Sequence, residues 1–333
     1  MTFDVRQLHG DFFTGRRVLL TGGAGFIGSH LAEALCQLSA DVVVLDDLSG
    51  GDKGNLATFG PLEFVEGSIL DEGLLAKVTA GCDYVFHLAA LGSVPRSVEL
   101  PRLYNDVNVT GTLNVLEAAR EAGVKRVMFS ASSSAYGSNP VPWVETMPVL
   151  PRSPYAATKV ADEALMRAWS HSYGLDTACL RYFNIFGPRQ NANSAYAAVI
   201  AAFAKALHAG ERPTIYGDGE QSRDFTFVAN AVHANLLAAR HDRPLEGSVL
   251  NVGCGDRISV NDLAVEMAKA WDRPDLTPVH QPERAGDIKH SFADLQKTTA
   301  TLGYKPQVTF HDGLAATIDW YQSVFESEPA PTS

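Results

Sequence analysis

Strand-like and helix-like segments alternate over the first half of the chain, and this pattern constrains the fold most. Apolar, strand-like runs cover residues 16–22, 41–46, 62–67, 83–90, 126–132 and 177–184. Helical patterns lie between some of them, over residues 26–38, 103–122 and 154–173. Strands that are apolar throughout are typical of a sheet covered by helices on both faces. The alternation therefore predicts an α/β fold with a doubly wound parallel sheet.

After about residue 187 the pattern becomes less regular, with loops rich in Pro, Gly and Asp between short helices. A strand-like run over residues 248–253 is expected to return to the sheet. We therefore predict a larger domain formed by residues 1–184 together with about 221–255. A smaller α/β lobe would consist of about 185–220 and 256–325, and residues 326–333 would form a disordered tail.

The charge balance and composition limit the classes of partner. The chain has 38 acidic and 27 basic residues, a net charge of −11, and no basic run, which argues against nucleic acid. We expect no membrane association and a cytoplasmic location, because no apolar stretch is long enough for a bilayer and the N-terminus does not resemble a signal peptide. The four cysteines are far apart, so neither a disulfide framework nor a metal site is expected.

A glycine run follows the first strand-like segment. Gly22, Gly25 and Gly28 have the spacing G-x-x-G-x-x-G and stand between a strand and a helix. In such a run the first glycine allows a tight turn, the second lets backbone approach a pyrophosphate, and the third lets the helix pack closely on the sheet. The pyrophosphate then lies at the positive end of the helix. This context predicts a dinucleotide site.

Asp46 ends the second strand-like segment, at the distance from the glycine run that this kind of site requires. A carboxylate there can accept hydrogen bonds from both hydroxyls of the adenosine ribose. It would repel the additional phosphate of NADP, so the sequence favours NAD.

Tyr155 and Lys159 are four residues apart in SPYAATK, at the start of a predicted helix, so they share one face. An ammonium near a phenol is expected to lower the pKa of the phenol from about 10. Tyr155 could then act as a general base at a sugar hydroxyl. Ser132, in the upstream segment SASSSAYG, could hydrogen-bond the same hydroxyl and relay its proton.

These motifs together resemble the extended short-chain dehydrogenase/reductase family over nearly the whole chain. Within it, LRYFN, GDGEQSRDF and ERAGD resemble the branch of nucleotide-sugar epimerases, most closely the UDP-N-acetylglucosamine 4-epimerases. The resemblance implies a Rossmann domain that binds NAD, a UDP-sugar substrate, and a homodimer formed through helices near residues 103–122 and 154–173. It also implies that Asn184, Arg223 and Arg284 hold the UDP pyrophosphate and that Asp287 contacts the uridine ribose.

The resemblance implies fuller sets of contact residues as well. NAD would contact Gly22, Gly25, Phe26, Ile27, Asp46, Asp47, Ser49, Gly51, Ser68, Ile69, Leu88, Ala89, Ala90, Asn108, Ser130, Tyr155, Lys159 and Tyr182. The UDP-sugar would contact Gly92, Ser93, Ser132, Ser133, Tyr155, Asn184, Ala198, Val199, Thr214, Tyr216, Arg223, Arg284, Asp287 and Ser291. The catalytic residues would be Ser132, Tyr155 and Lys159, with no metal ion.

Two serines discriminate among the reactions that this scaffold supports. Relatives that eliminate water carry Asp-Glu after the position of Ser132, and UDP-glucuronate decarboxylases carry Glu at the position of Ser134. This chain has Ser133 and Ser134, and a serine cannot readily replace a carboxylate acid–base pair. Epimerisation needs no further acid or base, because the 4-keto sugar only turns over and is reduced from its other face. A dehydratase or decarboxylase, and a non-catalytic NAD-binding sensor, are the alternatives.

Small residues in three segments favour an N-acetylated sugar. Ser291 aligns with a gate position that is tyrosine in epimerases confined to UDP-glucose and UDP-galactose, and a small residue leaves room for a bulky 2-substituent. The segments containing Gly92 and the pair Ala198–Val199 also resemble the N-acetyl type. A small gate permits a large substrate without requiring one. A UDP-uronic acid stays an alternative, because Arg189 or Arg96 could meet a carboxylate at C6.

Ser68 departs from the family pattern, which has an aspartate at this position that contacts the adenine amine. A hydroxyl can accept a hydrogen bond but lacks the charge. We therefore expect adenine to be held more weakly, by about 1 kcal/mol, without loss of NAD.

Overall fold

The computed structural model describes residues 4–57, 59–192, 198–283 and 288–327. The strands in chain order are β1 (Arg17–Thr21), β2 (Asp41–Asp46), β3 (Glu63–Glu66), β4 (Tyr84–His87), β5 (Arg126–Ser132), β6 (Asp176–Tyr182), β7 (Ile185–Phe186), β8 (Thr214–Tyr216), β9 (Ser222–Arg223), β10 (Thr226–Phe227), β11 (Ser248–Val252), β12 (Ile258–Ser259) and β13 (Val279–Gln281). The helices are α1 (Val5–His9), α2 (Phe26–Gln37), α3 (Glu72–Thr79), α4 (Val94–Glu99), α5 (Pro101–Tyr104), α6 (Gly111–Glu121), α7 (Pro154–Tyr173), α8 (Val199–His208), α9 (Val228–Arg240), α10 (Val260–Ala270), α11 (Gln296–Leu302) and α12 (Phe310–Ser327). Short 3-10 segments cover Lys53–Leu56 and Ser133–Tyr136, and a π-helical segment covers Asn105–Thr110.

Seven of the described strands form one sheet in the order β11-β6-β5-β4-β1-β2-β3, and every neighbouring pair is parallel. The chain moves outward from β1 to β3 and then returns to place β4 on the other side of β1. The strand order therefore reverses between β1 and β4. In open sheets of this kind, ligands bind outside the carboxyl ends of the strands at the reversal. The predicted doubly wound parallel sheet is confirmed.

Both faces of the sheet are covered, which accounts for the uniformly apolar strands. Val18 and Leu20 of β1 belong to a core shared with α2 and α9. Leu19, between them, packs against α3, α6 and α7 on the opposite face of the sheet. Successive side chains of a strand point to opposite faces. Each buried strand residue therefore meets one of two helical layers.

The element bounds match the predicted ones most closely where the sequence pattern is strongest. β2, β5 and α7 cover the predicted residues 41–46, 126–132 and 154–173. The single helix predicted over residues 103–122 is instead divided into α5, the π-helical segment and α6. Within that segment Asn108 is buried and bonds the main chain at Leu91 through both side-chain atoms. Interruptions of this type are common near functional sites.

A second core lies outside the main sheet. It is formed by buried residues of α8, α10 and α12, together with residues 225–229. Residues 225–229 fall within the part of the chain that we assigned to the larger domain. The second core therefore contains residues of both the predicted larger domain and the predicted smaller lobe. Helix α12 also includes residues 326 and 327. The predicted disordered tail is therefore helical at its start, and residues 328–333 lie outside the described residues.

Asp224 connects the loops that enclose the second core. It is fully buried, and its carboxylate accepts hydrogen bonds from the main-chain N–H groups of Cys254, Gly255 and Ala293 at 2.8, 3.1 and 3.2 Å. Burial raises the pKa of Asp224 to about 6, against the effect of these bonds. One carboxylate thus joins the segment after β11 to the segment before α11. No described helix has both the length and the apolar character needed to cross a membrane.

Candidate active site

The loop after β1 leaves almost no space beside its backbone. Gly22 has a φ of +72°, a conformation that favours glycine, and a Cβ there would lie 2.6 Å from the main-chain nitrogen of Ala89. A Cβ on Gly28 would lie 2.1 Å from the carbonyl oxygen of Gly22. Helix α2 begins directly after Gly25 and has no side-chain cap. Its first N–H groups therefore remain available to an anion at the end of the sheet.

Asp46 stands at the carboxyl end of β2, beside this loop. Its carboxylate accepts N–H bonds from Ala24 and Leu48, both at 2.9 Å. Burial raises its pKa, whereas these main-chain bonds lower it. A carboxylate oriented in this way keeps lone pairs for hydroxyl donors. The uncapped helix, the tight glycine loop and Asp46 together fit the pyrophosphate and ribose of NAD.

A cleft of about 920 Å³ extends from the glycine loop along the carboxyl ends of the strands. Most residues predicted to contact NAD line it, namely Gly22, Gly25, Phe26, Ile27, Asp46, Asp47, Ser49, Gly51, Ile69, Leu88, Ala89, Ala90, Ser130, Tyr155, Lys159 and Tyr182. Of the residues predicted to contact the sugar nucleotide, the cleft is lined by Gly92, Ser132, Ser133, Tyr155, Asn184, Arg223 and Ser291. The structure thus brings the three predicted catalytic residues into the same cleft.

Several predicted contact residues do not line this cleft. Ser68 accepts the N–H of Leu70 at 3.2 Å, and Ser93 caps α4. Asn108 supports the cleft from behind, through its bonds to Leu91. The remaining ones lie at the start of α8 or in β8, namely Ala198, Val199, Thr214 and Tyr216. Arg284 and Asp287 lie outside the described residues.

The catalytic side chains come from the end of β5 and the start of α7. Ser153 caps α7 by accepting the N–H of Ala156 at 3.1 Å, and this places Tyr155 in the first turn. Ser132 ends β5, and its Oγ accepts hydrogen bonds from both the N–H and the hydroxyl of Ser134, at 3.2 and 2.9 Å. Because Ser132 already accepts two bonds, its own O–H is free to donate toward Tyr155 or a ligand.

The electrostatics of the pair differ from the sequence-based expectation. Burial raises the pKa of Tyr155, and the hydrogen bond to Ser132 opposes this. Burial also lowers the pKa of Lys159, which is 3% exposed and lies with Nζ 4.5 Å from the centre of the Phe129 ring. We expected the ammonium to lower the pKa of the phenol. In the structure, the influence that lowers the pKa of Tyr155 is the hydrogen bond from Ser132, and burial outweighs it.

The far end of the cleft is formed by the loops around the second core. Ser291 is buried, and its Oγ accepts a hydrogen bond from the side-chain amide of Asn184 at 2.9 Å. Arg223 donates to the carbonyl oxygens of Ser222 and Lys289, both at 3.0 Å. An amide, a hydroxyl and a guanidinium therefore converge where the sequence predicts the nucleotide sugar.

Sequence reasoning missed several cleft residues. The cleft is also lined by Ser134, Trp143, Arg152, Gln190 and Ile288. Arg152 could have been found, because it directly precedes the SPYAATK segment. Trp143 could not, because it reaches the cleft only through tertiary packing with Tyr136 and Phe183.

The arginines predicted as alternative carboxylate partners do not line the cleft. Arg189 forms an ion pair with Glu33 at 2.6 Å and stacks on Phe59. Arg96 is exposed on α4. Neither of these two arginines is therefore placed to meet a sugar carboxylate in this cleft.

Comparison with known proteins agrees with this geometry. Residues 18–253 match the NAD dependent epimerase/dehydratase family. The chain is 41% identical to the UDP-glucose 4-epimerase of Mycolicibacterium smegmatis, over 92% of this chain and 99% of the relative.

Solved structures give the same result. The UDP-N-acetylglucosamine 4-epimerase of Methanobrevibacter ruminantium, in complex with UDP-N-acetylmuramic acid, is 42% identical with a TM-score of 0.89, over 93% of this chain and 99% of that chain. The UDP-glucose 4-epimerase of Thermus thermophilus, in complex with NAD, is 35% identical with a TM-score of 0.83, over 92% and 99%. The predicted cofactor type, NAD, is confirmed for the family. The chain therefore belongs to the NAD dependent epimerase/dehydratase family.

Proposed function

We propose that this protein is a UDP-sugar 4-epimerase that interconverts UDP-N-acetylglucosamine and UDP-N-acetylgalactosamine through a 4-keto intermediate. The epimerase class is supported by the relatives, which include 4-epimerases at 41% and 42% identity over nearly the whole chain. The preference for an N-acetylated sugar is supported by residues at the far end of the cleft.

NAD would be held by the glycine loop, the N-terminus of α2 and Asp46. It supplies the oxidation of C4 and its reversal. The chain's own residues then have two tasks, to move the proton of the C4 hydroxyl and to hold the sugar so that either of its faces can be presented. Asn184 and Arg223 would hold the UDP group while the sugar turns beside the serines at the end of β5.

Tyr155 is the proposed general base. Ser132 lies within hydrogen-bonding reach of its hydroxyl, and this contact favours the ionised phenol. Ser134 donates to Ser132 and so directs the Ser132 proton into the cleft. The proton can therefore pass from the sugar O4 to Tyr155, directly or through Ser132, and return after the sugar has turned.

One observation carries the choice of reaction. Among the described residues that line the cleft, the carboxylates are Asp46 and Asp47, and both stand at the end of β2 near the glycine loop. The catalytic end has Ser132, Ser133 and Ser134 instead. Elimination of water needs an acid–base group beside the sugar, whereas epimerisation does not. This distribution of carboxylates favours epimerisation over dehydration.

The proposed sugar preference rests on size at the far end. Ser291 lines the cleft with a small side chain, and its hydroxyl is bonded to Asn184. A Cβ on Gly92 would meet no atom within 4 Å. Both positions therefore leave room for an acetamido group.

The uronic acids are less well supported. The two arginines that could meet a carboxylate at C6 do not line the cleft, because Arg189 is engaged by Glu33 and Phe59 and Arg96 is exposed on α4.

The test is to incubate the purified protein and NAD separately with UDP-N-acetylglucosamine, UDP-glucose and UDP-glucuronate, and to follow the anomeric protons by NMR. A UDP-N-acetylgalactosamine signal that grows to a plateau is expected. Turnover of only the plain or the uronic sugar would keep the reaction and refute the sugar preference. No change with any of the three, with NAD shown to be bound, would refute the epimerase.

The same assay tests the base. Tyr155→Phe should retain NAD but lose turnover by at least about 100-fold, because it removes the group that accepts the proton. Tyr173→Phe is the matched control, since Tyr173 is 55% exposed at the far end of α7. Normal turnover by Tyr155→Phe would show that another group is the base.

A further inference from the structure

A buried carboxylate lies beneath the proposed catalytic pair. Asp162 is on α7, three residues after Lys159, so the two side chains share one face of the helix. Asp162 has no exposed surface, and neither of its oxygens has a hydrogen-bond partner of normal geometry within the described chain. The hydroxyl of Thr112 interacts with Asp162 more weakly than a normal hydrogen bond would, and it favours the charged form. A buried carboxylate without good hydrogen-bond donors destabilises the folded chain, so such a group in a native structure calls for an explanation.

Lys159 is the cation whose charge acts on this carboxylate. Its stem and ammonium are buried against the ring of Phe129. The neighbouring acid, Glu163, is held by two bonds to Arg181, both at 2.7 Å. Asp162 is thus the carboxylate near Lys159 that no arginine neutralises within the described part of the chain.

Other titratable groups around Asp162 carry little charge. Burial lowers the pKa of His87 to about 3, so this imidazole is neutral, and it bonds Thr21 and Thr112. Burial raises the pKa of the Cys179 thiol well above its ordinary value. Three groups on α7 therefore determine the charge at this place, namely Tyr155, Lys159 and Asp162.

We propose that Asp162 is a positioning residue for the catalytic base, whose negative charge keeps the proton on Lys159 and so sets the alkaline limit of the reaction. This inference rests on the proposed epimerase function and assigns a role that Ser132, Tyr155 and Lys159 do not fill. Asp162 does not touch the sugar or the cofactor, and it acts through Lys159.

The directions of the pKa shifts agree with this role. Burial lowers the pKa of Lys159, and the charge of Asp162 is the largest influence that raises it again. Burial raises the pKa of Asp162 to about 7, and Lys159 lowers it. Asp162 also raises the pKa of Tyr155. Lys159 and Asp162 therefore each stabilise the charged form of the other.

Removal of the Asp162 charge should move both limbs of the kcat–pH profile to lower pH. The active form needs Lys159 as an ammonium and Tyr155 able to accept a proton. Removal of a buried negative charge lowers the pKa of both groups. The alkaline limb of the kcat profile, where Lys159 loses its proton, moves to lower pH. The acid limb, where Tyr155 gains a proton, moves in the same direction.

The experiment compares Asp162→Asn with the wild type in the NAD-loaded enzyme from pH 6 to pH 10. The alkaline limb should move down by about one pH unit, with roughly a tenfold loss of kcat at the alkaline end and little loss at pH 6. KM for the UDP-sugar should stay within about twofold. Asp162→Glu, which keeps the charge, should restore the limb. Asp83→Asn is the control, because Asp83 is a surface carboxylate bound to Lys125.

A second readout does not depend on turnover. Ionisation of Tyr155 can be followed by tyrosinate absorbance, as the difference between each protein and the same protein with Tyr155→Phe. It should occur at lower pH in Asp162→Asn than in the wild type. If the wild type epimerises no UDP-sugar but this shift appears, the role of Asp162 stands and the proposed function fails.

An equal loss of kcat at every pH, with no shift of the alkaline limb or of the tyrosinate titration, would overturn the proposal and leave Asp162 a merely structural residue. Should Asp162→Asn fail to fold, Thr112→Val gives the same test. It removes the hydroxyl that favours the charged form of Asp162, so a smaller shift in the same direction is expected.

Discussion

The two ends of the cleft are built differently. At the cofactor end the glycine loop presents backbone, and a Cβ at Gly22 or Gly28 would overlap neighbouring main-chain atoms. At the sugar end the side chains of Asn184, Arg223 and Ser291 line the cleft, and an added Cβ on Gly92 would meet no atom within 4 Å. The glycine loop therefore accepts its ligand by shape, whereas the sugar end does so by exchangeable side chains. Substitutions should be tolerated at the sugar end and not in the glycine loop.

The sharpest test of this contrast is a pair of glycine substitutions. Gly28→Ala places a Cβ 2.1 Å from the carbonyl oxygen of Gly22, so the glycine loop must move away from α2. We expect a loss of about 3 kcal/mol in the free energy of unfolding, measured in urea, and loss of NAD binding. Gly92→Ala should change neither quantity. Equal behaviour of the two variants would show that the ends of the cleft do not differ in this way.

The contrast also explains what the sequence could predict. Gly22, Gly25 and Gly28 lie within seven residues, so the geometry of the loop follows from one strand, one turn and one helix, and Asp46 ends the next strand. Tyr155 is predictable for the same reason, since α7 begins at a proline that follows a serine cap.

Positions at the sugar end depend on contacts between distant segments. Ser291 reaches Asn184 across 107 residues of sequence, and no local pattern encodes that distance. Thr214 and Tyr216 were assigned to the substrate by resemblance alone, and they lie in β8 and are not among the residues that line the cleft. The charge state of Lys159 was also beyond local reasoning, because burial is a property of the folded chain. The homodimer stays a prediction.

A substitution at the sugar end should change selectivity without loss of the fold. Ser291→Tyr places a large side chain beside Asn184 and would fill the space that we assign to the acetamido group. We expect kcat/KM to fall by roughly 100-fold for UDP-N-acetylglucosamine and by less than about threefold for UDP-glucose, because exclusion by size acts on the larger sugar. Both values are measured from the anomeric-proton NMR signals. Ser291→Ala, which stays small, should keep the wild-type ratio, and a parallel fall for both sugars in Ser291→Tyr would contradict the gate.

The smallest expected effect is at the rim of the cofactor end, where side chains replace backbone as the contact surface. The hydroxyl of Ser68 accepts the N–H of Leu70 and, unlike an aspartate, carries no charge. Ser68→Asp should add a charged acceptor for the adenine amine and tighten NAD binding by about 1 kcal/mol, close to fivefold in Kd. Calorimetric titration of the NAD-depleted protein measures this change. Ser68→Ala should leave Kd within about twofold, since it removes a group that the main chain already uses. An unchanged Kd in Ser68→Asp would show that a charged side chain at the rim adds nothing to NAD binding, and that backbone shape determines binding there as it does in the glycine loop.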